Sequence, residues 1–323
     1  MFKTLITIPL GYILGFIYSF VQNYGWSLII FTLIIKVVLL PLGLKQQKAT
    51  TKMQQVQPKM AEIQKKYAND QQKLSEETMK LYKEYGVNPM GGCLPLLIQL
   101  PILFGLYRVI YSPLTYMLHF TDEKVAQLTA QYVEKFGEIS GAAANQAQIL
   151  IAKANDLINF NFLGLDISAT PSLKYPSIIW IVPILAAVTT YLTSKVSTAI
   201  AGNKNKDKKA EEKKAEENGV VKKERVLSPD QKKNPASANS TESMTKSMTI
   251  MMPLMTLWIT FTLPATLGVY WTISNLFSIL QTILLNGYFK KKLEVEIAAQ
   301  DILIAEKKAL KDARYNKKKK KRG

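Results

Sequence analysis

Hydrophobic positions along the chain fall into long runs separated by strongly polar stretches. Five runs, at 24–44, 91–112, 175–195, 246–263 and 266–288, are each about as long as the roughly 20 helical residues that cross a bilayer core. The pattern predicts an all-α polytopic membrane protein with five transmembrane helices. Pro95, Pro101, Pro183 and Pro253 lie inside these runs, where membrane helices accept them as kinks once neighbours satisfy the freed carbonyls. Leu263 to Thr266 leaves only a few residues between the last two spans, which therefore form a tight hairpin. Ahead of the first run, residues 1–23 place Leu5, Ile8, Tyr12, Ile13, Phe16 and Phe20 at helical spacing, with Thr7, Gly11, Gly15, Ser19 and Gln22 on other faces. This predicts an N-terminal amphipathic helix lying in the membrane interface, although a signal sequence or a further span fits the same residues.

The polar stretches differ in kind. Residues 45–90 read as a cytoplasmic helical hairpin, because Met53, Val56, Met60, Ile63 and Tyr67 follow the spacing of one apolar stripe. That stripe serves either as hairpin core or as a flexible methionine-bearing face. A break at Asn69-Asp70 separates a second helix with Ser75 as its predicted N-cap, Glu76 and Glu77 in the first turn, and Gly86 as its stop. Residues 113–174 form an extracellular loop, helical over 121–160, to which no chemistry is assigned. The linker at 196–245 is charged, lacks aromatics and is expected to be largely disordered. A basic tail occupies 289–323.

Charge orients these pieces. Segment 45–90 carries nine lysines, 196–243 carries eleven Lys/Arg and 289–323 carries thirteen, whereas 113–174 has four lysines against six acidic residues. The positive-inside rule puts the three basic segments in the cytoplasm, with the amino terminus outside and the carboxyl terminus inside. One cysteine, Cys93, excludes an intramolecular disulfide framework, and a single histidine, His119, leaves no recognisable metal site. His119 reads as a surface residue, and Gly91, Gly92 and Cys93 as close-packing residues. Without a Gly-rich phosphate loop no nucleotide motor is indicated, and no cofactor and no covalent enzyme chemistry are expected.

One residue departs from the apolar pattern: Lys36, near the middle of the first span. An ammonium group there costs roughly 2.5–3.5 kcal/mol on insertion scales. Lys45 lies nine residues on, about 13 Å of helix at 1.5 Å per residue, so the headgroups are beyond easy snorkelling reach. All 24 acidic residues lie outside the spans, so none can pair with Lys36 from within one.

Three stretches carry a family resemblance. The first span ends in Pro-Leu and enters Lys45-Gln46-Gln47; residues 86–107 read GVNPMGGCLPLLIQLPILFGLY; residues 263–281 read LPATLGVYWTISNLFSILQ. Together they resemble the YidC membrane protein insertase family, relatives of the Oxa proteins of mitochondria and the Albino proteins of chloroplasts. The resemblance implies an insertase and chaperone that moves nascent membrane proteins into the bilayer. It would do so through a hydrophilic, positively charged groove open to cytoplasm and lipid. Lys36 stands where the family typically has arginine; it keeps the charge and loses the planar five-donor fork. Thr32, one turn before Lys36, and Gln99, Tyr270, Trp271 and Asn275 are further groove candidates; ordinary interhelical hydrogen bonding is the other reading of such residues. A wet groove shortens the low-dielectric path of a polar tail, and a fixed positive charge attracts acidic residues in that tail.

The partners implied are nascent membrane proteins, the ribosome, the Sec translocon and anionic lipids. Lys317, Lys318, Lys319, Lys320, Lys321 and Arg322 suit both headgroups and the phosphates of ribosomal RNA, with no base-reading module to make an RNA contact specific. The lack of an arginine-rich presequence, and of a large domain between the first two spans, points to the plasma membrane of a single-membrane bacterium. The alternative is an ion or solute transporter using Lys36, but no internal repeat accompanies it.

Overall fold

The structure, a computed structural model, describes residues 3–88, 94–197, 199 and 240–320. Gly91, Gly92 and Cys93, most of the 196–245 linker, and Lys321 and Arg322 lie outside the described residues. Two compact units emerge: Met1–Pro41 with Leu94–Lys195 and Met248–Leu280, and Leu42–Cys93 with Val196–Ser247 and Gln281–Gly323.

In the first unit a π-helical turn, Lys3–Thr7, leads into α1 (Ile8–Val21), which Gln22 ends in the left-handed region. The face of α1 that packs carries Leu10, Gly11, Leu14, Ile17 and Tyr18, all buried. A Cβ on Gly11 would sit 2.2 Å from the Tyr116 carbonyl oxygen, and one on Gly15 2.3 Å from that of Met117, so only glycine allows this approach. Leu5, Tyr12, Phe16 and Phe20 of the predicted stripe are exposed.

Helix α2 (Tyr24–Val38) starts on an Asn23 cap, whose side chain accepts from the Trp26 N–H. The apolar run predicted to continue to Leu44 instead breaks at Leu39, and α3 (Leu40–Lys66) follows. Pro41 supplies the reason: it has no N–H to bond the Val37 carbonyl, and its ring crowds that group. After α5 (Leu94–Tyr111) and α6 (Pro113–Tyr116) come α7 (Asp122–Phe136), capped by Thr121, and α8 (Ala147–Ala154).

An all-α fold needs one correction here. Strands β1 (Asn161–Phe162) and β2 (Leu165–Asp166) pair antiparallel. Leu163 and Gly164 both take positive φ at the turn, the backbone that a two-residue hairpin requires. The 113–174 segment is also more than a loop. It buries Leu114, Met117, Leu128, Ile149, Ile151, Ile158 and Ile167 in the core shared with α1, α2 and α5.

Helix α9 (Ile178–Ser197), α10 (Ser240–Thr262) and α11 (Ala265–Lys320) complete the chain. The first N–H groups of α11 do not go unpaired: Ala265 N–H donates to the Ala169 carbonyl and Thr266 N–H to that of Ile167, both at 2.9 Å. Among the described residues, α9 and the Ala265–Phe289 part of α11 are long and apolar enough to cross a membrane, with the broken pair α2 and α3 as a third span if counted together. Apolar side chains face outward from them, among them Ile181, Ile184 and Val188 on α9 and Leu276 and Leu280 on α11, as lipid contact requires. Threonine hydroxyls on these helices donate to their own backbone, Thr190 to Ala186 and Thr260 to Thr256. The Thr260 side chain is thereby satisfied within its helix.

The second unit contains α3, α4 (Gln71–Tyr85) and the distal part of α11. Asp70, not Ser75, caps α4: its carboxylate accepts from the Lys73 N–H at 3.0 Å, and Ser75 lies inside the helix. An aspartate in that position brings a full negative charge to the positive helix end, which a serine does not. Bonding to the Lys73 N–H holds the Asp70 carboxyl below its ordinary range. Gly86 (φ +57°) ends the helix as predicted. Val56 and Met60 pack with Leu81, Tyr85 and Val87, flanked by Met53, Ile63, Tyr82, Ile297 and Ile304. Four residues of the predicted stripe are therefore core, and Tyr67 stands apart from it. Helix α11 continues without a break through residues 289–320, predicted as a separate tail.

Candidate functional site

Lys36 lies in the last turn of α2, and its Nζ donates to Ser278 Oγ on α11 at 3.2 Å. Ser278 Oγ in turn donates to the Ser274 carbonyl at 2.8 Å. Two turns earlier on α11, the buried Tyr270 Oη accepts from Gln99 Nε2 of α5 at 2.5 Å. Tyr270, Ser274 and Ser278 recur every four residues and so share one face of the helix. Gln99 and Lys36 thus meet the same face of α11 eight residues apart, about 12 Å along the axis.

The other predicted residues are used differently. Thr32 is buried, and its Oγ1 donates to the Leu28 carbonyl at 2.7 Å, which turns the hydroxyl onto its own helix. Asn275 Nδ2 donates to Thr190 Oγ1 at 2.8 Å and Thr189 Oγ1 at 3.2 Å, bracing α11 against α9. Trp271 is half-buried one turn before Asn275, on that same side of α11. The structure therefore joins Lys36 and Gln99 to one polar row and puts Asn275 in an interhelical contact. Lys317 to Lys320 lie on the last residues of α11.

Electrostatics set Lys36 apart. Among the described residues the ion pairs involve Lys48, Lys52, Lys59, Lys73, Lys80 and Lys153, and Lys36 is in none. An ammonium has three donors, and Ser278 takes one while contributing no charge. Such a group is available to an anionic ligand. Among the described residues no three His, Cys, Asp or Glu side chains converge as metal ligands would. A cavity of about 600 Å³ in the first unit is lined by residues including Tyr18, Gln22, Lys153, Asp156, Asn161 and Asp166, and by none of the predicted site residues. Burial tends to raise the Asp166 carboxyl there, but bonds from Lys153 and Ser168 outweigh it and hold it below the usual range.

Ser274, Ser278, Thr189 and Thr190 escape a reading of the sequence. The four-residue recurrence of Tyr270, Ser274 and Ser278 is the only local signal for the two serines, and hydroxyls at that spacing are common on helices satisfied by their own backbone.

Residues 16–292 match the family model described as 60Kd inner membrane protein. The chain is 31% identical to the membrane protein insertase YidC 2 of Listeria innocua over 323 residues, covering 98% of this chain and 83% of that one. It is also 31% identical to YidC 1 of Listeria monocytogenes over 281 residues, covering 86% of this chain and 69% of that one. A stretch of 105 residues is 52% identical to YidC of Syntrophus aciditrophicus, covering 32% of this chain and 19% of that one. A stretch of 111 residues is 34% identical to YidC of Wolinella succinogenes and spans only 21% of that protein's length. The match with the family model over most of its length places this helical membrane protein in the 60Kd inner membrane protein family, the YidC family.

Proposed function

We propose that the protein is an insertase and chaperone that brings nascent membrane proteins into the bilayer along a positively charged groove built around Lys36. The observation that carries this reading is the Lys36–Ser278 contact: an ammonium in the last turn of the apolar helix α2, held by a neutral hydroxyl at 3.2 Å and engaged in no ion pair among the described residues. Both Listeria relatives are named membrane protein insertases, which supports the reading from a separate direction. In this proposal the chain crosses the plasma membrane five times, amino terminus outside and carboxyl terminus in the cytoplasm. Residues 45–90 form a cytoplasmic hairpin.

The physical mechanism needs no covalent chemistry. An incoming segment with a short polar tail meets its main barrier in desolvating that tail. Lys36 attracts acidic groups of the tail most strongly where water is scarce, and the Gln99–Tyr270 pair extends the polar surface along α11. The apolar part of the segment then leaves sideways into lipid, driven by its own transfer free energy. Ribosomes and anionic lipids meet the basic end at Lys317–Arg322, and the Sec translocon is a further partner.

Reconstituted vesicles and a single-span substrate with an acidic tail test the proposal. Lys36→Arg should retain insertion, and Lys36→Leu should reduce it about tenfold or more, the loss of roughly 1.4 kcal/mol at the barrier. Equal insertion by the leucine variant would overturn the mechanism. Solute flux through the same vesicles in the absence of any protein substrate would favour a transporter.

A further inference from the structure

The distal part of α11 makes an unusually complete set of contacts in the second unit. Leu293 is fully buried, and Ile297 and Ile304 pack against the core that Val56, Met60, Leu81 and Tyr85 form. Leu293, Ile297 and Ile304 fall at spacings of four and seven, the same face of one helix. Carboxylates flank that face and meet lysines of α3. Lys52 Nζ lies 2.8 Å from Glu296 with Lys48 at 3.9 Å, and Lys59 Nζ lies 2.6 Å from Asp301. The Tyr85 hydroxyl also donates to Asp301. Gln300 Nε2 donates to the Glu84 carbonyl at 2.6 Å, satisfying one of the carbonyls left open at the end of α4.

Two features make this more than ordinary packing. The residues from 289 onward carry thirteen basic groups, yet the segment that touches α3 and α4 presents acids to them. The face of α3 that it covers combines lysines at 48, 52 and 59 with the apolar residues Met53, Val56, Met60 and Ile63. Uncovered, that face offers apolar contact flanked by positive charge.

We infer that residues 293–304 are a built-in occupant of a docking groove on α3 and α4, and that the groove fits an acidic amphipathic helix of a partner protein. The occupant is tethered, so its effective concentration is high and an external helix enters only when the clasp opens. The ion pairs are partly exposed and weaken as salt screens them, which makes opening salt-dependent. None of these contacts involves Lys36, so the inference stands apart from the insertion mechanism.

A labelled peptide of residues 291–306 tests this on the full chain in lipid nanodiscs. The E296K/D301K protein, whose own occupant is repelled, should bind the wild-type peptide at least about tenfold more tightly than the wild-type protein does, and raising salt should weaken that binding. The charge-swapped K59D/D301K protein should restore a paired clasp and exclude a D301K version of the peptide, whose charge complements the K59D change, which separates clasp closure from misfolding and from simple repulsion of the peptide. No binding to the E296K/D301K protein, equal binding to it and to the wild type, or failure of the swap to exclude the D301K peptide would overturn the proposal.

Discussion

Two lysines set the two units of the molecule side by side. Lys59, in the second unit, meets Asp301 at 2.6 Å and Tyr85 Oη at 2.8 Å, so its charge is answered within the chain. Lys36, in the first unit, meets the hydroxyl of Ser278, and no carboxylate among the described residues answers its charge. The side chains are chemically identical, and what differs is the partner. A carboxylate turns a lysine into an internal fastener, whereas a serine steadies it and adds no opposing charge.

Removing each lysine in turn is the strongest way to break that comparison. Lys36→Leu is expected to lower insertion of an acidic-tailed substrate about tenfold or more in reconstituted vesicles, whereas Lys59→Leu should stay within about twofold of wild type. Lys59→Leu should instead loosen the second unit, read as faster amide exchange over Leu81–Tyr85. The pair is about a third exposed, so a loss of ~0.2–1 kcal/mol is expected. Equal insertion defects for the two variants would erase the distinction.

Ser278 sharpens the contrast at a smaller scale. With Ser278→Ala the Lys36 ammonium loses its one described partner, and insertion of an acidic-tailed substrate should fall about threefold, near 0.6 kcal/mol at the barrier. The decisive control is the double variant: in a Lys36→Leu background Ser278→Ala should add nothing, because the serine acts through the lysine. Additive losses would assign Ser278 to packing instead. Asn275→Ala, whose partners Thr189 and Thr190 also bond to their own backbone, should cost only about 0.6 kcal/mol, the mean for interhelical hydrogen bonds in membranes, and should do so for acidic and neutral substrates alike.

The same contrast explains what was legible before the structure. Lys36 stands out in sequence because a charge inside an apolar run violates the pattern around it. The stripe at Met53, Val56, Met60 and Ile63 was legible as one apolar face from its periodicity, and its packing against Leu81 and Tyr85 makes it core. Ser278 and Thr190 violate nothing, since a hydroxyl can satisfy itself on the preceding turn. The Lys59–Asp301 and Lys52–Glu296 pairs join residues more than 240 positions apart, and no local spacing encodes such a meeting. Local competition hid other features. Ser75 has a good N-cap signature, with two glutamates behind it, but Asp70 starts the helix a turn earlier. The Pro41 break at Leu39 lay within a run whose hydrophobicity is continuous. The 113–174 segment read as a loop because its buried residues come from short elements whose periodicity has little room to show.

The smallest expected effect is the pH response of the clasp, and its sign follows from the two partners. A hydrogen bond from Lys52, assisted by the charges of Lys48 and Lys292, holds the Glu296 carboxyl below its usual range despite some burial. Its contribution is fully present above the unfolded value of about 4.3 and is lost as pH falls through the lower folded value. Burial alone would lower Lys59, but its bonds to Asp301 and Tyr85 outweigh that and raise it. Its contribution is fully present below about pH 10.4 and is lost as pH rises through the higher folded value. Exchange protection of Leu81–Tyr85, corrected for intrinsic rates, should therefore be flat between about pH 5 and pH 10 and fall by a few tenths of a kcal/mol per pair at either end. A loss of protection centred near pH 7 would mean that groups other than these carboxylates and lysines hold the segment, and the second lysine of the comparison would no longer be answered by Asp301.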